Sequence, residues 1–154
     1  MSHPLPYAHT VKSLAPPDPL FGTGAVLHEG DLDVALRLAW SASTSAAPSW
    51  TPDIPSAGQC AVTALLVQDL LGGVLLRGVV CGETHYWNRL PGGSEVDFTA
   101  AQFAEYRLDV APEVRERSYV LGFPDTIRRY HTLRAAVLKS LPVDFGTALP
   151  AIPR

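Results

Sequence analysis

The sequence predicts an α+β domain in which a central helix bearing a cysteine packs on an antiparallel sheet of three or more strands. Three observations lead to this prediction. The run from Cys60 to Leu71 is apolar nearly all round and has the length of a buried helix. Two strand-like segments flank the turn signal Pro91-Gly92-Gly93-Ser94, which predicts a hairpin. A chain of 154 residues with 47% hydrophobic residues is large enough to form one core.

The N-terminal part of the chain divides into an arm and a first helix. Residues 1–30 mix Pro, Gly and His with isolated apolar residues, so we expect an extended arm. The domain is predicted over residues 31–142. From Asp31 apolar residues recur at helical spacing, which predicts a helix to about Ser41 with Asp31 as N-cap and Trp40 packed inward.

The middle of the chain is predicted to hold the central helix and the sheet. Residues 41–59 are rich in Ser, Thr, Ala and Pro, which favours a long loop. The central helix then begins at Cys60 and ends at Gly72-Gly73. Three antiparallel strands follow, predicted over Val74–Cys81, Thr84–Leu90 and Glu95–Phe98.

The last part of the chain is predicted to be mainly helical. Thr99 and Gln102 have the spacing of a capping box, which predicts a short helix from Ala100. Residues 106–122 give no clear pattern. An amphipathic helix is predicted over about 125–140, with the Arg128-Arg129 pair on its polar face, followed by an irregular tail over 143–154.

Three residues supply the groups that a cysteine nucleophile needs. Cys60 opens the central helix, and the unpaired N–H groups and positive dipole end at such a position stabilise a thiolate. His85 lies on the next hairpin and could remove and return the proton. Asp97 could hold the imidazole in its productive tautomer. We therefore predict a Cys60, His85, Asp97 triad.

The register of the hairpin decides whether His85 and Asp97 meet. With a three-residue loop over 91–93, Asp97 lies opposite Trp87 and diagonal to His85, on the same face of the hairpin. With a four-residue loop, Asp97 lies opposite Asn88, which separates the pair. The two glycines of the turn favour the three-residue loop.

A substrate pocket is predicted around the cysteine. The backbone N–H of Cys60 is one candidate donor to a tetrahedral oxyanion, and the side chains of Gln59 and Trp50 are alternatives for the second donor. Gly58 would allow the chain to approach closely. Trp87 and Asn88, next to His85 in the sequence, complete the predicted pocket.

Two runs of sequence carry a family resemblance: Gly58-Gln59-Cys60-Ala61-Val62-Thr63-Ala64, and His85-Tyr86-Trp87-Asn88-Arg89-Leu90-Pro91. They resemble the YunG-like family of small uncharacterised bacterial proteins, over most of residues 40–135. More loosely, residues 58–99 resemble the transglutaminase-like and papain-like cysteine hydrolase core, in which a helix-opening Cys precedes strands carrying His-x-Trp and Asp before Thr.

The looser resemblance implies thiol-dependent acyl transfer or amide hydrolysis by Cys60, His85 and Asp97. The spacing from Cys60 to His85 is short for a full transglutaminase, so the substrate-binding insertion is missing and the substrate class stays open. We expect an amidase, peptidase or deamidase type of activity on a small-molecule or peptide-like substrate.

Composition excludes several other classes. A net charge of −3 without a basic stripe disfavours nucleic acid, and the longest apolar run, 61–71, is about half the roughly 20 residues of a membrane span. Two cysteines are too few for a disulfide scaffold, and no signal peptide is evident, so a cytoplasmic location is expected. Neither a metal nor an organic cofactor is expected.

Two alternatives stay open. The first is a non-catalytic binding module on the same fold, in which the thiol of Cys60 is not activated. The second, weaker alternative is a metal site through Cys81 and His85, which are four residues apart.

Overall fold

The computed structural model describes residues 27–141 and shows an α+β architecture. No helix of this region is long and apolar enough to cross a membrane. Of the predicted arm over residues 1–30, all but residues 27–30 lie outside the described region, as does the predicted tail over 143–154. The helices are α1 (Glu29–Ala39), α2 (Cys60–Leu71), α3 (Arg117–Val120) and α4 (Pro124–Ser140), and the strands are β1 (Val74–Val80), β2 (Glu83–Arg89), β3 (Glu95–Val96) and β4 (Leu108–Arg115).

The strands form one antiparallel sheet in the order β3-β2-β1-β4. The predicted antiparallel strands are confirmed, although β3 covers two residues of the predicted 95–98. Strand β4 lies within residues 106–122, for which no element was predicted. It is an edge strand whose side chains are mostly exposed on both faces, so no burial alternation marks it. Pro112 within it is tolerated because an edge strand has one unpaired side.

Helix α2 is the central element of the core, as predicted. Seven of its twelve residues are buried, α4 and one face of the sheet pack against it, and α1 packs against α4. A helix with apolar residues all round can only be covered in this way from several sides. The core side chains with no exposed surface include Leu32, Leu36, Val62, Leu65, Leu66, Leu75, Leu133 and Val137.

The N-cap of helix α1 lies three residues earlier than predicted. His28 is its N-cap residue, and Asp31 lies in the first turn, so the prediction of Asp31 as N-cap was wrong. Glu29 and Asp31 together place two negative charges at the positive end of the helix dipole, which stabilises the earlier start. Trp40 packs inward as expected, and its indole N–H donates to Thr63 Oγ1 at 3.0 Å.

The loop over residues 41–59 is folded back on itself just before α2. Ala46 N–H donates to the carbonyl of Gly58 at 2.8 Å. Gly58 has a φ of 69°, and a Cβ at this position would lie 2.5 Å from the backbone nitrogen of Ala47 and from Ser45 Oγ. Only glycine fits this close approach, which fixes the chain where it enters α2.

The loop is also anchored to α4 by an arginine. The guanidinium of Arg129 is buried, donates to the carbonyl of Thr44 at 3.2 Å and pairs with Asp125 at 2.8 Å. The prediction that Arg129 belongs to the polar face of the last helix was therefore wrong. Helical periodicity alone could not reveal it, because the partner carbonyl lies 85 residues away in the sequence.

Candidate functional site

The hairpin between β2 and β3 has the register that brings His85 towards Asp97. Asn88 pairs with Val96 and Arg89 with Glu95, and Leu90 N–H donates to the Ser94 carbonyl at 2.8 Å. This is the three-residue loop of the two alternatives. Continuing the register by one residue sets Asp97 opposite Trp87.

His85 and Asp97 form a buried pair. The imidazole Nε2 lies 2.6 Å from Asp97 Oδ2, and their side chains are 0% and 6% exposed. A carboxylate only accepts hydrogen bonds, so Nε2 carries the proton and donates it. The other ring nitrogen, Nδ1, is therefore the one left to act as a base.

Asp97 is itself held by the turn that follows it. Its Oδ1 accepts the backbone N–H of Thr99 at 3.0 Å and the Thr99 hydroxyl at 3.1 Å. The Tyr106 hydroxyl reaches Oδ2 at 3.5 Å. These donors fix the carboxylate in the position from which it orients the imidazole.

Cys60 is the first residue of α2 and is half-buried. The first N–H groups of a helix have no intrahelical partners, and the first turn of α2 carries no acidic residue that would oppose a thiolate. Cys60 lies close enough to His85 to help raise the pKa of the imidazole. The structure thus places Cys60 near the buried pair of His85 and Asp97, and the action of the three as a triad stays a prediction.

The charge balance favours a protonated imidazole. Burial lowers the pKa of His85, but the hydrogen bond and negative charge of Asp97 and the interactions with Cys60 outweigh it and raise the pKa to about 9. A charged imidazolium beside the Asp97 carboxylate is therefore the form that this pair stabilises.

Aromatic side chains enclose the imidazole. Trp87 stacks on His85 with ring centroids 5.5 Å apart, and Phe103 meets the ring edge-on at 5.0 Å. Tyr106 approaches at 6.2 Å. This apolar enclosure keeps water from the pair and strengthens the attraction between His85 and Asp97.

Most of the predicted pocket side chains are engaged within the protein. Gln59 is fully buried and its amide donates to the Ser41 carbonyl at 3.1 Å, and the Trp50 indole N–H donates to the Pro55 carbonyl at 3.0 Å. Trp87 donates to Glu95 and Asn88 to the Ala64 carbonyl. Gly58 shapes the loop before α2. These contacts position the site, and a direct role in holding substrate stays a prediction.

Comparison with known proteins places this arrangement in a family. The profile of the family described as YunG protein matches residues 28–142, which is most of the chain and contains Cys60, His85 and Asp97. The chain is a member of the YunG family. It is 37% identical over 86 residues to the uncharacterized protein YunG of Bacillus subtilis (strain 168), covering 55% of this chain and 72% of that protein. No solved structure shows a significant match.

In this YunG family member, Gln102 has a different role from the one that the sequence predicted. Gln102 was expected to close a capping box with Thr99, but Thr99 makes no side-chain cap and donates to Asp97 instead. The Gln102 amide nitrogen donates to the Thr99 carbonyl at 3.1 Å and lies 3.4 Å from His85 Nδ1. Gln102 therefore stands beside the ring nitrogen that would exchange a proton with Cys60.

The other neighbours of His85 were not found from the sequence. Phe103 and Tyr106 follow a turn of 3₁₀ helix over Ala100–Gln102. They contact the imidazole only because the segment after this turn folds back over His85. A Phe and a Tyr three residues apart carry no signal of their own.

The second cysteine of this YunG family member, Cys81, forms its hydrogen bond outside this site. The Cys81 thiol donates to the Glu105 carbonyl at 2.8 Å. Within residues 27–141, no group of three or more His, Cys, Asp or Glu side chains could hold a metal ion. The weaker alternative of a metal site through Cys81 and His85 thus gains no support.

Proposed function

We propose that this YunG family protein is a thiol-dependent acyl hydrolase or acyl transferase that acts on a small amide or peptide-like substrate. Cys60 is the nucleophile, His85 the general base and acid, and Asp97 the orienting carboxylate. The observation that carries the proposal is the buried 2.6 Å pair of His85 and Asp97, with Cys60 near enough to help raise the pKa of the same imidazole.

The proposed reaction proceeds through a thioester. The sulfur of Cys60 attacks the substrate carbonyl carbon, a C–S bond forms, and the carbonyl oxygen becomes negatively charged. Backbone N–H groups at the start of α2 can donate to this oxygen. The imidazolium of His85 gives its proton to the leaving amine as the C–N bond breaks. Water or another acceptor, deprotonated by His85, then displaces the sulfur and releases the acyl group.

Pairing between Asp97 and Thr99 supports the orienting role. Because both oxygens of the carboxylate have donors, Asp97 stays fixed while the proton moves between Cys60 and Nδ1 of His85. A rigid orienting group is what a base on a strand needs to return to the same position in each cycle.

An activated acyl donor tests the proposal directly. The protein is incubated with p-nitrophenyl acetate, and the acetylated peptides are read by mass spectrometry. We expect one acetyl group per chain, on Cys60, with a matching burst of p-nitrophenolate. The burst should disappear in Cys60→Ser, weaken strongly in Asp97→Asn and persist in Cys81→Ser. Acetylation of Cys60 no faster than of Cys81 would contradict the proposal.

The complete burial of His85 favours one competing function. An imidazole with 0% exposure and three aromatic neighbours could also stabilise a binding module in which Cys60 is inert. The same experiment separates the two functions, since an inert thiol forms no acetyl adduct while the fold and the His85–Asp97 pair remain intact.

A further inference from the structure

A cavity of about 190 Å³ lies between the loop preceding α2 and the turn that follows β3. Five of its eight lining residues are apolar or aromatic: Trp40, Ile54, Pro55, Phe98 and Ala101. Trp40 is a rigid wall, because it is only 5% exposed and its indole N–H is fixed on Thr63. The cavity thus has one preformed wall and a majority of apolar lining residues beside a few polar ones, a mixture common in small-molecule sites.

One side of the cavity is tied to the segment that carries the nucleophile. Ser56 lines the cavity and is 2% exposed. Its carbonyl accepts the backbone N–H of Gln59, the residue immediately before Cys60. Thr63, to which Trp40 is bonded, lies one helical turn after Gln59, whose carbonyl accepts its N–H. The first turn of α2 therefore borders this wall.

The opposite side of the cavity is tied to the segment that carries the carboxylate. Phe98 directly follows Asp97, and Ala101 directly precedes Gln102, whose amide nitrogen lies 3.4 Å from the His85 imidazole. The cavity is consequently flanked by the two segments that the proposed reaction uses.

Size and charge limit what the cavity can hold. Its volume is several times the ~30 Å³ share of one water molecule and smaller than the ~300 Å³ at which pockets for whole drug-sized ligands begin. The charged lining residues, Arg37 and Asp53, have opposite signs, and Arg37 is already paired with Asp33 at 3.0 Å. The cavity therefore has no net preference for an ion.

We propose that this cavity is a specificity subsite that binds one uncharged apolar side chain, aliphatic or aromatic, of the substrate whose carbonyl Cys60 attacks. The inference rests on the proposed function and adds the substrate class: amides with an apolar group beside the scissile carbonyl. The apolar group leaves water on entering the cavity, and this places the carbonyl at the start of α2.

Two alkylating reagents that differ only in an apolar group test the subsite. The rate constants of Cys60 with iodoacetamide and with N-benzyl-iodoacetamide are measured by mass spectrometry, with Cys81 as the reference thiol in the same molecule. We expect Cys60 to prefer the benzyl reagent by roughly tenfold relative to Cys81, a gain typical of burying one apolar group in a pocket.

Two matched substitutions locate the preference. Ile54→Asp places a charge in the cavity wall at a residue that is 49% exposed, and it should bring the ratio of the two rates at Cys60 close to that at Cys81. Val34→Asp makes the same change at a residue of α1 that is 58% exposed and does not line the cavity, and it should keep the ratio of the unmodified protein.

The outcomes distinguish the two proposals. If Cys60 reacts faster than Cys81 with both reagents but shows no preference for the benzyl reagent, the subsite is overturned and the proposed function stands. Cys60 that reacts more slowly than Cys81 with both reagents contradicts the proposed function. In that case binding of the unreactive N-benzylacetamide tests whether the cavity takes an apolar group. At millimolar concentration this compound should still shift the amide NMR signals of Ser56 and Ala101, and unshifted signals would overturn the subsite.

Discussion

Asp97→Asn should remove a pH-dependent part of the stability of the protein. In the native state Asp97 is the main group that raises the pKa of His85, from an ordinary value of 6.5 to about 9, against the effect of burial. At about 1.36 kcal/mol per pH unit, this difference corresponds to roughly 3 kcal/mol. To prevent the thiol from titrating, the comparison is made between Cys60→Ala and Cys60→Ala/Asp97→Asn. The loss of Cys60 lowers the expected difference and the fall of the His85 pKa in the Asn variant raises it, so ~3 kcal/mol is its order of magnitude.

The sign of the effect follows from linkage. Because the native pKa of His85 lies above the unfolded one, the stabilisation is fully present below about pH 6.5 and is lost as the pH rises through about 9. In Asp97→Asn the imidazole stays buried without a charged partner, so its pKa falls and protonation opposes folding. The stability difference between the two proteins should therefore be largest at low pH.

Urea unfolding followed by tryptophan fluorescence measures this difference. We expect the gap in unfolding free energy between Cys60→Ala and Cys60→Ala/Asp97→Asn to shrink by about 3 kcal/mol between about pH 6 and pH 9.5. A loss of packing or of a neutral hydrogen bond would give a constant gap. Parallel stability curves over this range would refute the assignment of a charged His85–Asp97 pair.

Substitutions at Gln102, Gly73 and Trp40 test the geometry of the site and of the fold that supports it. Gln102→Ala should lower the midpoint pH of Cys60 alkylation, because the amide donor of Gln102 favours the neutral imidazole. Gln102→Glu should lower the midpoint more, because a carboxylate favours the charged imidazole. Unchanged midpoints would leave Gln102 a purely structural role. Gly73→Ala should cost more than about 2 kcal/mol of unfolding free energy, because its φ is 82° and a Cβ would overlap the facing strand. The control Gly92→Ala should change the unfolding free energy by no more than about 0.5 kcal/mol, because the space around Gly92 is open. Trp40→Phe should cost about 1–2 kcal/mol in the same denaturation assay, since a buried indole hydrogen bond is lost, and a neutral effect would contradict that bond.

The elements that the sequence predicted well are those determined by local pattern. Helix α2 begins at Cys60 and ends at Leu71 as expected, because its apolar run and the two following glycines are local signals. The three-residue hairpin loop followed from the glycines at its turn. These two elements were enough to predict that His85 meets Asp97 and that Cys60 opens α2.

The features that the sequence missed depend on contacts between distant segments. Strand β4 has no burial alternation because it lies at the edge of the sheet, and it is held by pairing with β1. Arg129 looks like a surface residue until the loop over 41–59 folds against α4. Gln102 and Phe103 acquire their place beside His85 only when the 3₁₀ turn returns over the sheet. Such contacts are set by tertiary structure, which propensity and periodicity do not encode.

The activation of Cys60 by His85 is the central claim, and the pH dependence of iodoacetamide labelling tests it most directly. Labelling of Cys60 and Cys81 is followed by mass spectrometry in the unmodified protein and in His85→Gln. The account predicts that Cys60 is labelled with a midpoint below the ordinary value of about 8.5, that the midpoint rises in His85→Gln, and that Cys81 is unaffected. A Cys60 labelled more slowly than Cys81, with a midpoint that does not respond to His85→Gln, would contradict it.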